Sequence, residues 1–268
     1  MTKVLSCVNL KGGVGKTAIA VNIAARAGRL GKKTLLIDVD PQTNATFWCV
    51  QAENWKAHAE ENGTIADLFG IGRATAEHAP LDVARVIMKD VFSNVDLLPS
   101  HLKLFTIDLD IAGVTARERI LRRKLQPILS DYDLVVCDCP PNLTIPTQNA
   151  IAFSTHYIVP VSPDYLSAIG IALVTTRVQK LSDELERSVD NAGVIFSRIG
   201  RHSNHREQIM STIRSQFGEQ VLASELKERV AVSRCAEQHI SVFDSNDQEA
   251  ISEFSAVTGA VLNKIGLT

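Results

Sequence analysis

Short apolar runs recur along the chain, separated by stretches of helical pattern. Residues 4–8, 34–37, 95–98, 134–137, 157–161 and 193–196 are apolar almost without a break. Runs of this length without polar alternation predict strands covered on both faces, as in parallel sheets. Between the first two runs, over 16–30, Ile19, Ile23, Ala27 and Leu30 keep helical spacing, and Gly31 is placed to cap the C-terminus. Strand, helix and strand in this order form a βαβ unit, and the alternation continues along the chain. The pattern therefore predicts one domain over 1–268: a single doubly wound, mostly parallel α/β sheet with helices on both faces. No repeat, low-complexity tract or Pro/Gly linker marks a boundary.

Other segments carry weaker patterns. Residues 46–62 are polar, with Trp48 and Trp55 among them, and predict a peripheral helix. Thr64-Ile65-Ala66-Asp67 reads as a capping box opening another helix. Residues 117–129 predict a basic amphipathic helix, and residues 248–264 a last helix.

Composition narrows the function classes. The chain has 268 residues, 45% of them hydrophobic and 22% charged, which is ordinary for a globular protein. A formal charge of −2 excludes nucleic-acid binding through bulk positive charge, so any such contact needs a local patch. The five cysteines form no C-x-x-C pair, and Cys7, Cys137 and Cys139 lie in or beside apolar runs, as small buried hydrophobes do. The N-terminus has no signal-peptide layout, and no run approaches the roughly 18 apolar residues of a membrane span. The expectation is a reduced, cytoplasmic protein.

The strongest chemical signal is Lys11-Gly12-Gly13-Val14-Gly15-Lys16-Thr17, between the first strand and the first helix. Glycines allow tight turns and close approach of backbone N–H groups to a polyphosphate, and a helix N-terminus adds positive potential. Lys16 supplies a mobile charge for the β- and γ-phosphates, and Thr17 a hydroxyl for Mg²⁺. Leu10 stands where the common form of this loop has its first glycine, and Lys11 opens the loop instead. Two acidic sites fit the same chemistry. Asp38 and Asp40 lie two apart at the end of the 34–37 run, hence on one side of the chain. Asp138 ends the 134–137 run, where a lone carboxylate calls for a cation; Mg²⁺ held partly through water is the natural one.

These motifs, with Asp38-Val39-Asp40-Pro41-Gln42-Thr43-Asn44-Ala45-Thr46 and Cys137-Asp138-Cys139-Pro140-Pro141, resemble those of the ParA/Soj-type partition ATPases. These belong to the deviant Walker A group of P-loop proteins, alongside the MinD ATPases. The resemblance extends to the runs at 95–98, 158–161 and 193–196. It implies a slow, Mg²⁺-dependent ATP hydrolase that forms a nucleotide-sandwich homodimer with ATP. It also implies nonspecific DNA binding on the nucleoid, and positioning of plasmid, chromosome or other cargo with a ParB-like or other adaptor that stimulates hydrolysis. Carried over residue by residue, residues 11–18 bind nucleotide, ending at Ala18, where the family often has a second threonine. Lys16 and Thr17 bind phosphate and Mg²⁺, Asp138 is the Walker B carboxylate, and Asp38 lies near Mg²⁺. Asp40 positions the attacking water. Lys11 is the signature lysine that crosses to the partner's nucleotide, where a cation supplied in trans is worth roughly 10³–10⁵ in rate.

Two basic clusters lie in the C-terminal third, where the family's DNA contacts also lie: Arg198, Arg201 and Arg206 with His202 and His205, and Lys227, Arg229 and Arg234. Arginines hold phosphate backbones without reading bases. A MinD-like membrane cycle is the main alternative, but residues 255–268 contain one lysine, Lys264, and little amphipathic contrast, so no membrane partner is expected. An iron–sulfur relative of the same fold is a lesser alternative.

Overall fold

The computed structural model describes residues 1–71 and 82–268. One sheet holds β1 (Lys3–Cys7), β2 (Thr34–Asp38), β3 (Met88–Phe92), β4 (Val95–Leu98), β5 (Leu134–Asp138), β6 (His156–Val161) and β7 (Asp190–Phe196). Its order is β3-β4-β2-β5-β1-β6-β7, and every pairing is parallel except that of β3 with β4. The expected doubly wound, mostly parallel sheet is thus present.

Period-two side-chain alternation divides the core into two layers. Val4, Leu35, Ile37, Val135, Val159 and Phe196 face one way, packing with the helices Ile145–Phe153 and Ser167–Glu184. Leu5, Leu36, Val136, Ile158 and Ile195 face the other, towards the helices Lys16–Arg29 and Gln248–Lys264. Cover on both sides is why these strands read as continuous apolar runs. All five cysteines are free and buried.

Four local readings change. The edge strand β3 has no apolar run, because a strand open to solvent carries charges such as Lys89 and Asp90 and needs no second apolar face. The peripheral helix expected over 46–62 is two helices, Asn44–Cys49 and Ala52–Glu61. The helix expected over 117–129 is broken into a 3₁₀ turn, the helix Ile120–Leu125 and a second 3₁₀ turn, Gln126–Asp131. Pro127 lies in that second turn, where it removes a backbone donor and crowds the preceding turn. Leu30 is the C-cap of the first helix and is exposed, while Gly31 follows it in the left-handed conformation, φ 79°. The capping box forms as read: Thr64 Oγ1 accepts from Ala66 N, and Asp67 Oδ2 accepts from Thr64 N at 2.7 Å.

Candidate functional site

β1 lies where strand order reverses, with β5 on one side and β6 on the other, so a crevice opens beyond its C-terminal end. The loop that leaves it turns twice through left-handed backbone, at Gly13 (φ 73°) and Gly15 (φ 82°), a conformation that side chains with a Cβ rarely adopt. The loop is tied from outside. Asn9 Oδ1 accepts from Lys11 N at 2.9 Å and its amide donates to Pro160 O at 2.6 Å, while Ser197 Oγ donates to Val14 O at 2.6 Å. Lys16 is buried, and its Nζ donates to Lys11 O at 3.0 Å, across the mouth of the loop.

Strand register brings the carboxylates to this loop. Asp138 of β5 is paired with Cys7 of β1 on one side and Asp38 of β2 on the other. Two acids from distant parts of the chain are therefore neighbours at one level of the sheet. Thr17 Oγ1 donates to Asp138 Oδ2 at 2.7 Å, whereas Asp138 Oδ1 is buried with no hydrogen-bond partner. Burial, reinforced by the charge of Asp38, raises the Asp138 pKa well above the ordinary carboxylate value, against the Thr17 bond. Asp38 accepts from Asp40 N (3.1 Å), Thr46 N (2.8 Å) and Thr46 Oγ1 (2.7 Å), yet burial still pushes it up to about 7. Burial raises Asp40 as well, while the bond from Gln42 N and the charge of Lys16 oppose it.

Lys16 is the cation that acts on Asp40 and Asp138, and it leaves burial the larger effect on both. Among the described residues no group of three or more His, Cys, Asp or Glu side chains is placed to hold a metal. The orphaned Asp138 oxygen and the neighbouring Thr17 hydroxyl are hard oxygen donors, and two such donors fit an ion that keeps much of its water, as Mg²⁺ does.

A cleft of about 620 Å³ adjoins the loop, lined by Gly12, Gly13, Gly15, Lys16, Thr17, Ala18 and Asp40, and further out by Trp48, Leu226, Val232 and Phe254. Its loop suits phosphates, while its outer wall mixes the charged Arg198, Lys227, Glu228 and Arg229 with apolar surface of Trp48, Leu226, Val232 and Phe254 suited to a flat base. The outer wall was not foreseen. Trp48 follows the Asp38–Thr46 motif by two residues, whereas Leu226, Val232 and Phe254 come from the other end of the chain, and only the tertiary fold brings them together. Asp164 was also missed. Lys11 lies at the exposed rim, and its ammonium is paired with that carboxylate, whose pKa the contact lowers against burial.

The five arginines read as DNA contacts differ in their surroundings. Arg198 lines the cleft, donating to Gly13 O at 2.9 Å and to Glu228 at 2.5 Å. Arg229 is held by Glu249 and Glu253, each at 2.7 Å, and its side chain is only 16% exposed. Arg201 and Arg234 are exposed, and Arg206 donates to the Arg201 carbonyl.

A family model described as an AAA domain matches residues 2–191. An uncharacterised Mycobacterium tuberculosis protein is 31% identical over 82% of this chain; the chain spans 65% of that relative's length. The sporulation initiation inhibitor protein Soj of Bacillus subtilis is 28% identical, with 87% of each chain covered. A plasmid partition protein of Borrelia burgdorferi, solved with AMPPNP, has the same fold, with a TM-score of 0.80, 23% identity, and coverage of 98% of this chain and 100% of its own. With a phosphate loop, two register-matched carboxylates and these relatives, the chain belongs to the AAA-domain family of P-loop proteins as a ParA/Soj-type ATPase.

Proposed function

We propose that residues 1–268 act as one Mg²⁺-dependent ATPase domain that hydrolyses ATP slowly, dimerises around it, and positions DNA or another large cargo with an adaptor that stimulates hydrolysis. One observation carries this reading: a Thr17 hydroxyl and a half-partnered Asp138 meet at the first turn of the phosphate-loop helix. Mg²⁺, when bound, supplies charge neutralisation on the β- and γ-phosphates. Lys16 exchanges its bond to the Lys11 carbonyl for phosphate oxygens, as loop N–H groups surround them. Asp40, whose carboxylate accepts the Gln42 N–H, orients the attacking water. Lys11 leaves Asp164 and reaches the partner's nucleotide, so hydrolysis requires two chains.

We place the protein in the cytoplasm, on the nucleoid, rather than in a membrane cycle. The helix Gln248–Lys264 turns Phe254, Val257, Val261 and Leu262 into the core and presents no apolar face to a lipid surface. No helix among the described residues is long and apolar enough to cross a membrane. We assign nonspecific DNA contact first to Arg201, Arg206 and Arg234, because Arg198 and Arg229 are engaged at the cleft.

Size-exclusion chromatography with Mg²⁺ and a non-hydrolysable ATP analogue tests the dimer, and an unchanged monomer peak sinks it. A mobility shift on two unrelated duplexes tests DNA. Binding should need ATP, ignore sequence and weaken with salt, and Arg201→Glu with Arg206→Glu should weaken it without affecting dimerisation. Equal binding in ADP and ATP refutes the coupling.

A further inference from the structure

The helix Ala52–Glu61 buries none of its residues, so it adds little to the core. One of its side chains nevertheless connects, through Ser100, to the Asp40 backbone carbonyl in two hydrogen bonds and to the Asp38 carboxylate in three. Trp55 Nε1 donates to Ser100 O at 3.0 Å, and its ring packs against Phe47 at 5.3 Å and His101 at 5.6 Å. Ser100 follows β4 and is fully buried. Its N–H donates to Thr46 Oγ1 at 2.9 Å, and that hydroxyl donates to Asp38 Oδ2 at 2.7 Å. Its Oγ donates to the Asp40 carbonyl at 2.6 Å.

The Asp40 carbonyl is the hinge of a tight turn. It also accepts Thr43 N at 2.9 Å, and Thr43 has φ 58°. A β-branched residue in the left-handed region is strained, and such a turn persists only when its surroundings hold it. Ser100 supplies that restraint at the backbone of Asp40.

We propose that Trp55 and Ser100 are positioning residues for ATP hydrolysis: the indole fixes the Ser100 backbone, and the Ser100 hydroxyl fixes the Asp40 turn. This rests on the ATPase reading and on the water-orienting role of Asp40. Neither residue lines the nucleotide cleft. Their loss therefore acts on the chemical step and spares binding, because a small misplacement of a reacting group is costly in rate.

The test compares Trp55→Phe, which keeps the ring contacts but loses the N–H, with Ser100→Ala, which loses the hydroxyl. Lys56→Ala on the exposed side of the same helix is the control. ATP turnover and the Kd of a non-hydrolysable ATP analogue are measured with Mg²⁺. The expected result is a fall in kcat of about tenfold in each variant, with the analogue Kd changed less than about twofold and the control unaltered. The double variant should lose little more than the worse single one, because both act on the same turn. Wild-type turnover in Trp55→Phe and Ser100→Ala overturns the relay. So does loss of analogue binding in step with kcat, which signals general loosening. A wild-type protein that binds the analogue but hydrolyses no ATP overturns the ATPase reading, and the relay with it.

Discussion

Replacing Asp138 by Asn should make the nucleotide-free protein more stable while removing its response to Mg²⁺-ATP. Asn keeps an oxygen to accept the Thr17 hydroxyl and places a neutral amide where Oδ1 has no partner. What disappears is a buried charge beside Asp38. The scale of that penalty can be read from Asp38 itself, whose rise from 3.8 to about 7 corresponds to about 4 kcal/mol against ionisation. Asp138 is as fully buried, and relaxation of side chains and solvent returns part of such a penalty, which leaves about 2 kcal/mol. For a domain of this size that is a rise in Tm of about 4–8 °C.

The sign depends on pH. A carboxylate raised in the folded state binds its proton more tightly there than when unfolded, so stability falls as pH climbs above its ordinary value of 3.8. The advantage of Asn is therefore absent near that value and grows through neutral pH, past about 7, where Asp38 also ionises. The assay is thermal unfolding in EDTA at several pH values, then with Mg²⁺ and ATP analogue. Saturating ligand at about 100 times Kd should add about 2.7 kcal/mol to the wild type and much less to the variant. A variant less stable than wild type at pH 8 in EDTA, or one that keeps the full ligand response, refutes the reasoning.

Asp40→Ala should leave analogue binding and dimerisation intact while hydrolysis falls roughly 100-fold or more, followed by phosphate release; equal loss of affinity contradicts its assigned role. Gly28→Ala should destabilise by about 2–3 kcal/mol in a denaturant titration. A Cβ there would lie 2.1 Å from the Ser93 carbonyl oxygen, which cannot move without disturbing the β3–β4 turn.

The amino-acid sequence alone determined the layered sheet and the chemistry of its crevice. Strands buried on both faces have no polar alternation to hide, and a phosphate loop needs its glycines and lysine consecutive in the chain. Lys16, Thr17 and the ends of β2 and β5 were therefore legible from local pattern. Tertiary structure alone decided what meets across long separations. Register set Asp38 beside Asp138, and the fold brought Asp164 to Lys11, Leu226 and Val232 to the cleft, and Trp55 to Ser100. It also decided which arginines face solvent. Arg229 reads in the chain as one of a basic cluster and a candidate DNA contact, but Glu249 and Glu253, from the helix Gln248–Lys264, pair with it. Sequence records residue types and near neighbours, whereas pairing of charges and packing of surfaces depend on distances that only the folded chain sets.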